Sequence, residues 1–92
     1  MLSDLELVDA AAILPHTPPF PAQANTLRRM IADGRHPRPT LRIGKRRYWD
    51  AALISDYRHA LLVTGDQREA TRWAEARAAE RAAELATRVS RA

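Results

Sequence analysis

Between Thr26 and Arg47 the chain collects Arg28, Arg29, Arg35, Arg38, Arg42, Lys45, Arg46 and Arg47 against one acid, Asp33. Guanidinium and ammonium groups stay charged at pH 7 and carry only donors, so their natural counterparts are phosphate or carboxylate oxygens. The bias is local. Residues 1–25 carry three acids and no Lys or Arg, whereas residues 48–92 balance seven acids with seven arginines. The formal net charge of +4 therefore conceals +7 over residues 26–47. A like-charged run is also what a solvated face looks like. Its clustering around a helix end and a glycine-centred turn favours a surface that neutralises phosphates.

Other reactive residue types form no catalytic pattern. The chain has no cysteine, which excludes disulfides, thiol nucleophiles and cysteine-held zinc. His16, His36 and His59 fall in a loop, a loop and a helix, with no metal-ligand spacing. Asp56 and His59 lie three apart on one helix face and read as a surface pair. No glycine-rich phosphate loop, no serine beside a histidine and an acid, and no paired carboxylates occur. The expectation is a protein that is not an enzyme and needs no cofactor or metal. No apolar run reaches the length of a membrane span, and Met1-Leu2-Ser3-Asp4 lacks a basic leader, so a cytoplasmic protein is expected.

Several elements must position these cations. Leu7 and Val8 read as a short extended entry, and Asp9 as the N-cap of a helix over residues 10–14 that Pro15 ends. Val8, Ala11 or Ala12, and Leu14 are its expected packing residues. PHTPPFP, residues 15–21, reads as a stiff, extended connector, with Phe20 plugging an edge of the core. A second helix is signalled from about Ala22 to Asp33: Leu27, Met30 and Ile31 share one face, and Gly34 closes it.

Leu41 and Ile43 then alternate with Thr40 and Arg42, giving a strand with an apolar inner side. Gly44-Lys45-Arg46 is the expected turn and Arg47-Tyr48-Trp49 the returning strand. Tyr48 is expected to face the core, with Trp49 at the outer edge against the tail helix or the sugar–phosphate chain. Two strands alone are marginal, so the hairpin should lean on helices. Asp50 caps the next helix, whose buried stripe is Leu53, Ile54, Tyr57 and Leu61, and Thr64-Gly65 ends it. Asp66 caps an alanine-rich tail helix with a thin stripe of Ala70, Trp73 or Ala74, Ala78, Ala82, Leu85 and Val89. Glu69–Arg72, Arg77–Glu80 and Glu84–Arg88 are spaced to support it. Such a helix should bury little against its own domain.

On this layout the second helix presents Gln23, Asn25 and Arg28 near its N-terminus, a set able to reach base edges in a major groove about 12 Å wide. Gln and Asn suit adenine and Arg suits guanine, while Arg29, one position round, suits a phosphate. A narrow hairpin tipped by Gly44, Lys45 and Arg46 suits a minor groove. Five aromatic residues in total are few for binding RNA or single strands.

The runs LVDAAAIL (7–14), TLRRMIADG (26–34) and PRPTLRIGKRRYWD (37–50), followed by Leu53 and Tyr57, resemble the MerR-like winged helix-turn-helix of excisionases, or recombination directionality factors, and related phage-type regulators. The resemblance covers about residues 5–62. It implies a mainly α fold with a small β-hairpin, here followed by a C-terminal helical extension. The division would be a DNA-binding domain over 1–65 and an alanine-rich helix over 66–92. By position, Thr26 and Arg29 match the family's helix-2 Thr and Arg. Gln23, Asn25 and Arg28 match its variable base-reading sites, and Arg42, Gly44, Lys45, Arg46 and Arg47 make up its wing. Tyr48 matches its buried aromatic.

The family usually joins its first two helices by a tight turn with Gly and Ser, where this chain has PHTPPFP. The implied function is architectural binding of double-stranded DNA, in the bacterial nucleoid, that promotes excision of a mobile element by a partner integrase, with self-association along the DNA; the tail after Gly65 lies outside the family's pattern, and the C-terminal helix is the candidate link between copies. Two alternatives stand beside it: a small winged-helix transcriptional regulator, and, in another class, a helical protein-interaction module.

Overall fold

The computed structural model describes residues 6–91. Met1–Leu5 and Ala92, and with them the absence of a basic leader in the first four residues, lie outside the described residues. The chain is mainly helical with one small antiparallel sheet. Its elements are β1 (Leu7–Asp9), α1 (Ala10–Ile13), a 3₁₀ turn (Leu14–His16), α2 (Ala24–Ala32), β2 (Leu41–Ile43), β3 (Arg46–Asp50), α3 (Ala51–Thr64) and α4 (Gln67–Arg91).

The N-terminal strand does more than enter the fold. β1 pairs antiparallel with β3, placing Val8 opposite Trp49 and Asp9 opposite Tyr48, and β2 pairs along β3's other edge. The hairpin is thus one part of a three-stranded sheet ordered β1-β3-β2. The third strand supplies part of the support that two strands lack in water. Asp9 Oδ1 accepts from Ala12 N at 3.0 Å and starts α1 as expected. The anchor of α1 is Ile13, fully buried, and not Ala11 or Ala12, which are exposed.

The proline-rich connector is a folded loop and not an extended spacer. Ala22 N donates back to Leu14 O at 3.0 Å, and Thr17 Oγ1 donates to Ile13 O at 2.7 Å. Those bonds close residues 14–22 on themselves and leave Phe20 outside, 69% exposed, so it plugs nothing.

Helix α2 buries Leu27 and Met30 completely and Ile31 in part, the expected face. Each full burial is worth about 1.5–3 kcal/mol. Gly34 follows at φ +76, the left-handed conformation that closes the helix.

Sheet register decides the aromatic pair against the sequence expectation: Trp49 is fully buried and Tyr48 only half-buried. Trp49 shares its face with Val8, and the indole Nε1 donates to Pro37 O at 2.9 Å, which satisfies its one polar atom inside the core. Tyr48 shares the other face with Leu41, its partner across the ladder. Leu41 and Ile43 therefore point outward, the latter 61% exposed. A period-two pattern defines two faces without saying which is covered.

Asp50 Oδ1 accepts from Ala52 N and starts α3, which buries Leu53, Ile54, Tyr57 and Ala60, with Leu61 partly covered. Gly65, at φ +69, ends it. Asp66 Oδ1 accepts from Arg68 N and Glu69 N and starts α4. The helix then runs back along α3. Contrary to the expectation of little burial, Ala70 and Ala74 belong to the core with Ile13, Leu27, Trp49 and Tyr57. Arg81 reaches Asp56 at 2.7 Å and Asp50 at 4.0 Å, beside the start of α3. Of the three expected pairs along α4, Glu84–Arg88 closes at 2.7 Å; Arg77 instead approaches Asp56 at 3.6 Å.

Candidate nucleic-acid interface

Opposite the buried stripe of α2, Asn25, Arg28, Arg29 and Ala32 form an exposed face. The 3.6-residue period places Arg28 and Arg29 three and four positions after Asn25, so these three side chains are neighbours. Thr26 sits half-buried on the flank. Gln23 lies one residue before the helix, which begins at Ala24 and not Ala22. It is the N-cap, exposed, and its side chain makes no capping bond. The first-turn N–H groups of α2 are thus free of side-chain acceptors, and the positive end of the helix faces outward.

In the hairpin, Ile43 pairs with Arg46, so the turn itself is the two residues Gly44-Lys45, and Arg46 opens β3. Gly44 holds φ +61 at the first turn position while Lys45 does not enter the left-handed region, the pattern of a tight hairpin turn with glycine leading. Arg42 Nε donates to Gly44 O at 3.3 Å across it. Arg42 and Arg47 are cross-strand partners on one face. The Arg47 guanidinium lies 6.0 Å from the Trp49 ring centroid and is half-buried there. Arg46 occupies the opposite face with Ile43, and Lys45 the tip.

Internal pairing sorts the arginines. Arg35 is matched with Asp33 at 3.0 Å, Arg77 and Arg81 with Asp56, and Arg88 with Glu84. Among the described residues the side chains of Arg28, Arg29, Lys45 and Arg46 have no such partner and are exposed; Arg38 and Arg42 beside them, and Arg68 and Arg72 on α4, are likewise exposed and without an acid. Asp56 spends its carboxylate on Arg77 and Arg81, so the Asp56–His59 pair read from spacing gives way to links between helices. No hydrogen bond or ion pair joins the α2 group to the hairpin group among the described residues.

What positions the two groups is the segment between them, and its centre escaped the sequence reading. His36 is buried, its ring 5.9 Å from Trp49 edge-on and 4.9 Å from Tyr57. His36 Nδ1 and Trp49 Nε1 both donate to Pro37 O, at 3.0 and 2.9 Å. Tyr57 OH donates to Arg35 O at 2.8 Å. Three side chains from the link, β3 and α3 thereby fix the backbone that joins α2 to the hairpin. Burial pushes the His36 pKa down to about 4, against a smaller upward pull from its bond to Pro37 and with a downward push from Arg58. Burial raises Tyr57 to about 12, less a downward pull from Arg35. Both groups are neutral at pH 7, as donors in a dry cluster require. A histidine flanked by Arg and Pro carries no local signal of burial; only Trp49's need for a buried acceptor hinted that something nearby must supply one.

Among the described residues no helix is long and apolar enough to cross a membrane. No protein-family model, curated protein or solved structure matches the chain.

Proposed function

We propose that the chain is a winged helix-turn-helix protein that binds double-stranded DNA, with α2 in a major groove and the β2–β3 hairpin as a wing in the adjacent minor groove. One observation carries the reading. The exposed cations Arg28, Arg29, Arg38, Arg42, Lys45 and Arg46 have no acid partner among the described residues and crowd into one stretch whose single acid, Asp33, is taken by Arg35, so phosphates are their open counter-charge. Asn25 and Arg28 are the base-reading pair, Arg29 grips the backbone, and Lys45 and Arg46 supply the wing's charge. The finer role is that of an excisionase working with an integrase. Its support is the resemblance carried by residues 7–57, and a regulator would use the same surfaces.

Fluorescence anisotropy with a labelled duplex tests DNA binding. With about five to eight phosphates neutralised, the log–log plot of affinity against salt should slope at roughly −4 to −7. Arg46→Ala should flatten that slope by about 1 and weaken all sequences alike, whereas Arg28→Ala should cost about 1–3 kcal/mol on a selected site and relax its sequence preference. Unchanged affinity in both variants would remove the reading. Reconstituted excision with a cognate integrase, run beside a promoter reporter, separates the two roles: an effect on the reporter alone favours the regulator.

A further inference from the structure

On α3, Ala51, Ile54, Ser55 and Arg58 recur at spacings of three and four and so share one face. Between that face and the segment of β1, α1 and the 3₁₀ turn lies a hollow of about 250 Å³. Val8, Ile13 and Ile54 give it an apolar wall. Ser55, His16 and Arg58 supply its polar side chains, and among the described residues no Asp or Glu lines it. No residue of α2 or of the hairpin takes part, so the hollow lies outside the surface assigned to DNA.

Arg58 is what sets the hollow apart. Among the described residues the half-buried arginines are Arg35, Arg47, Arg58 and Arg81. Arg35 holds Asp33, Arg81 holds Asp56, and Arg47 lies by the Trp49 ring. Arg58 has neither an acid nor a ring among the described residues, although its charge reaches far enough inward to oppose protonation of His36. A guanidinium drawn partly out of water is costly unless an anion answers it, and its planar fork matches the two oxygens of a carboxylate. The apolar wall beside it calls for a hydrocarbon body on the same ligand. Size follows from volume. The hollow is smaller than the ~300–1,000 Å³ of sites for drug-sized molecules, and at ~30 Å³ per water-sized group it takes about eight non-hydrogen atoms.

We infer that the hollow binds a small organic carboxylate with a short aliphatic chain, its oxygens on the Arg58 guanidinium and its chain against Val8, Ile13 and Ile54. Ser55 and His16 are the neutral donors in the lining that add to this grip. One guanidinium balances one negative charge, so a phosphate dianion would bring a second charge with no counterpart beside an apolar wall. An amine meets a like charge and no acid. A ligand of this size makes few contacts, so a dissociation constant of about 1 mM is expected. The inference does not depend on DNA binding and is tested without DNA.

Hexanoate has the size and charge required and is the probe. Titrated into the isotope-labelled full chain, it should shift the amide NMR signals of Val8, Ile13, Ser55 and Arg58 along saturable curves with a dissociation constant of about 1 mM. At ~10 mM it should move the unfolding equilibrium about tenfold toward the native state. Hexylamine should leave these signals in place, and acetate and inorganic phosphate should each bind about tenfold more weakly or worse. Arg58→Gln, with no acid or ring to lose among the described residues, should keep the circular dichroism spectrum and weaken hexanoate about tenfold or more. Ser55→Phe, at an exposed position of the rim, should fill the hollow and give the same loss. Shifts that fail to saturate, or that fall on the exposed cations of α2 and the hairpin in place of the hollow, overturn the inference. So does binding left intact by either variant, or phosphate held as tightly as hexanoate, which would mark a plain anion site.

Discussion

Pro37 is the residue on which the site's geometry turns. Its carbonyl takes hydrogen bonds from His36 Nδ1 and Trp49 Nε1, and its own nitrogen has no proton to leave unsatisfied. Trp49→Phe would keep most of the ring's bulk but delete one donor and open space where the indole's second ring sat. A loss of about 1–3 kcal/mol in urea denaturation is expected. Tyr48→Phe, at a half-buried site where the hydroxyl makes no bond among the described residues, should stay within about 0.5 kcal/mol. The opposite ranking would mean that Tyr48 is the core aromatic after all. The sequence marked one of these adjacent side chains as buried, since neighbours on a strand face opposite ways. It could not say which, because the deciding acceptor arrives from twelve residues upstream.

Among the elements, α4 departs furthest from its reading. A stripe of alanines looks thin when counted as apolar area. The same small side chains let two helix backbones approach closely, and Ala70 and Ala74 are fully buried as a result. The helix therefore has two halves with different work. Ending the chain after Arg81 should change stability by less than about 1 kcal/mol, because residues 82–90 are exposed. Ending it after Gly65 strips the cover from α3 and leaves Asp56 without Arg77 and Arg81; a loss of several kcal/mol, on the order of 3–5, is expected. Chemical denaturation of both truncations would decide. A cooperative, undiminished transition for the shorter one would make all of α4 an appendage. The connector shows the same limit of local reading: four prolines in seven residues suggest extension, yet Ala22 N and Thr17 Oγ1 fold the loop back onto α1.

At the scale of the described chain, the one imidazole held inside is that of His36. His36 faces Pro37 O, Trp49, Tyr57 and the positive Arg58, and among the described residues no acid offsets the cost of its proton. The unfolded chain takes up that proton near pH 6.5, while the folded chain resists it down to about 4. Between those values the unfolded state binds more protons. Stability should therefore be full above about pH 6.5, fall as the pH drops toward 4, and lose on the order of 3 kcal/mol in all. Urea midpoints taken across this window measure the loss. His36→Gln should flatten the curve, and a wild-type curve already flat would show that the ring is solvated.

Some of this was settled by the order of residues. Helix ends at Asp9, Gly34, Asp50, Gly65 and Asp66, the buried face of α2 and the turn at Gly44 all depend on interactions within a few positions, and these are legible one residue after another. So is the basic block, because charge does not require a fold to be counted. Which aromatic faces inward, where His36 sits, how β1 completes the sheet and which arginines are left without an acid depend on residues far apart in sequence. Only tertiary structure decided those, because burial and pairing are properties of what comes to lie opposite, and no local pattern records its partner.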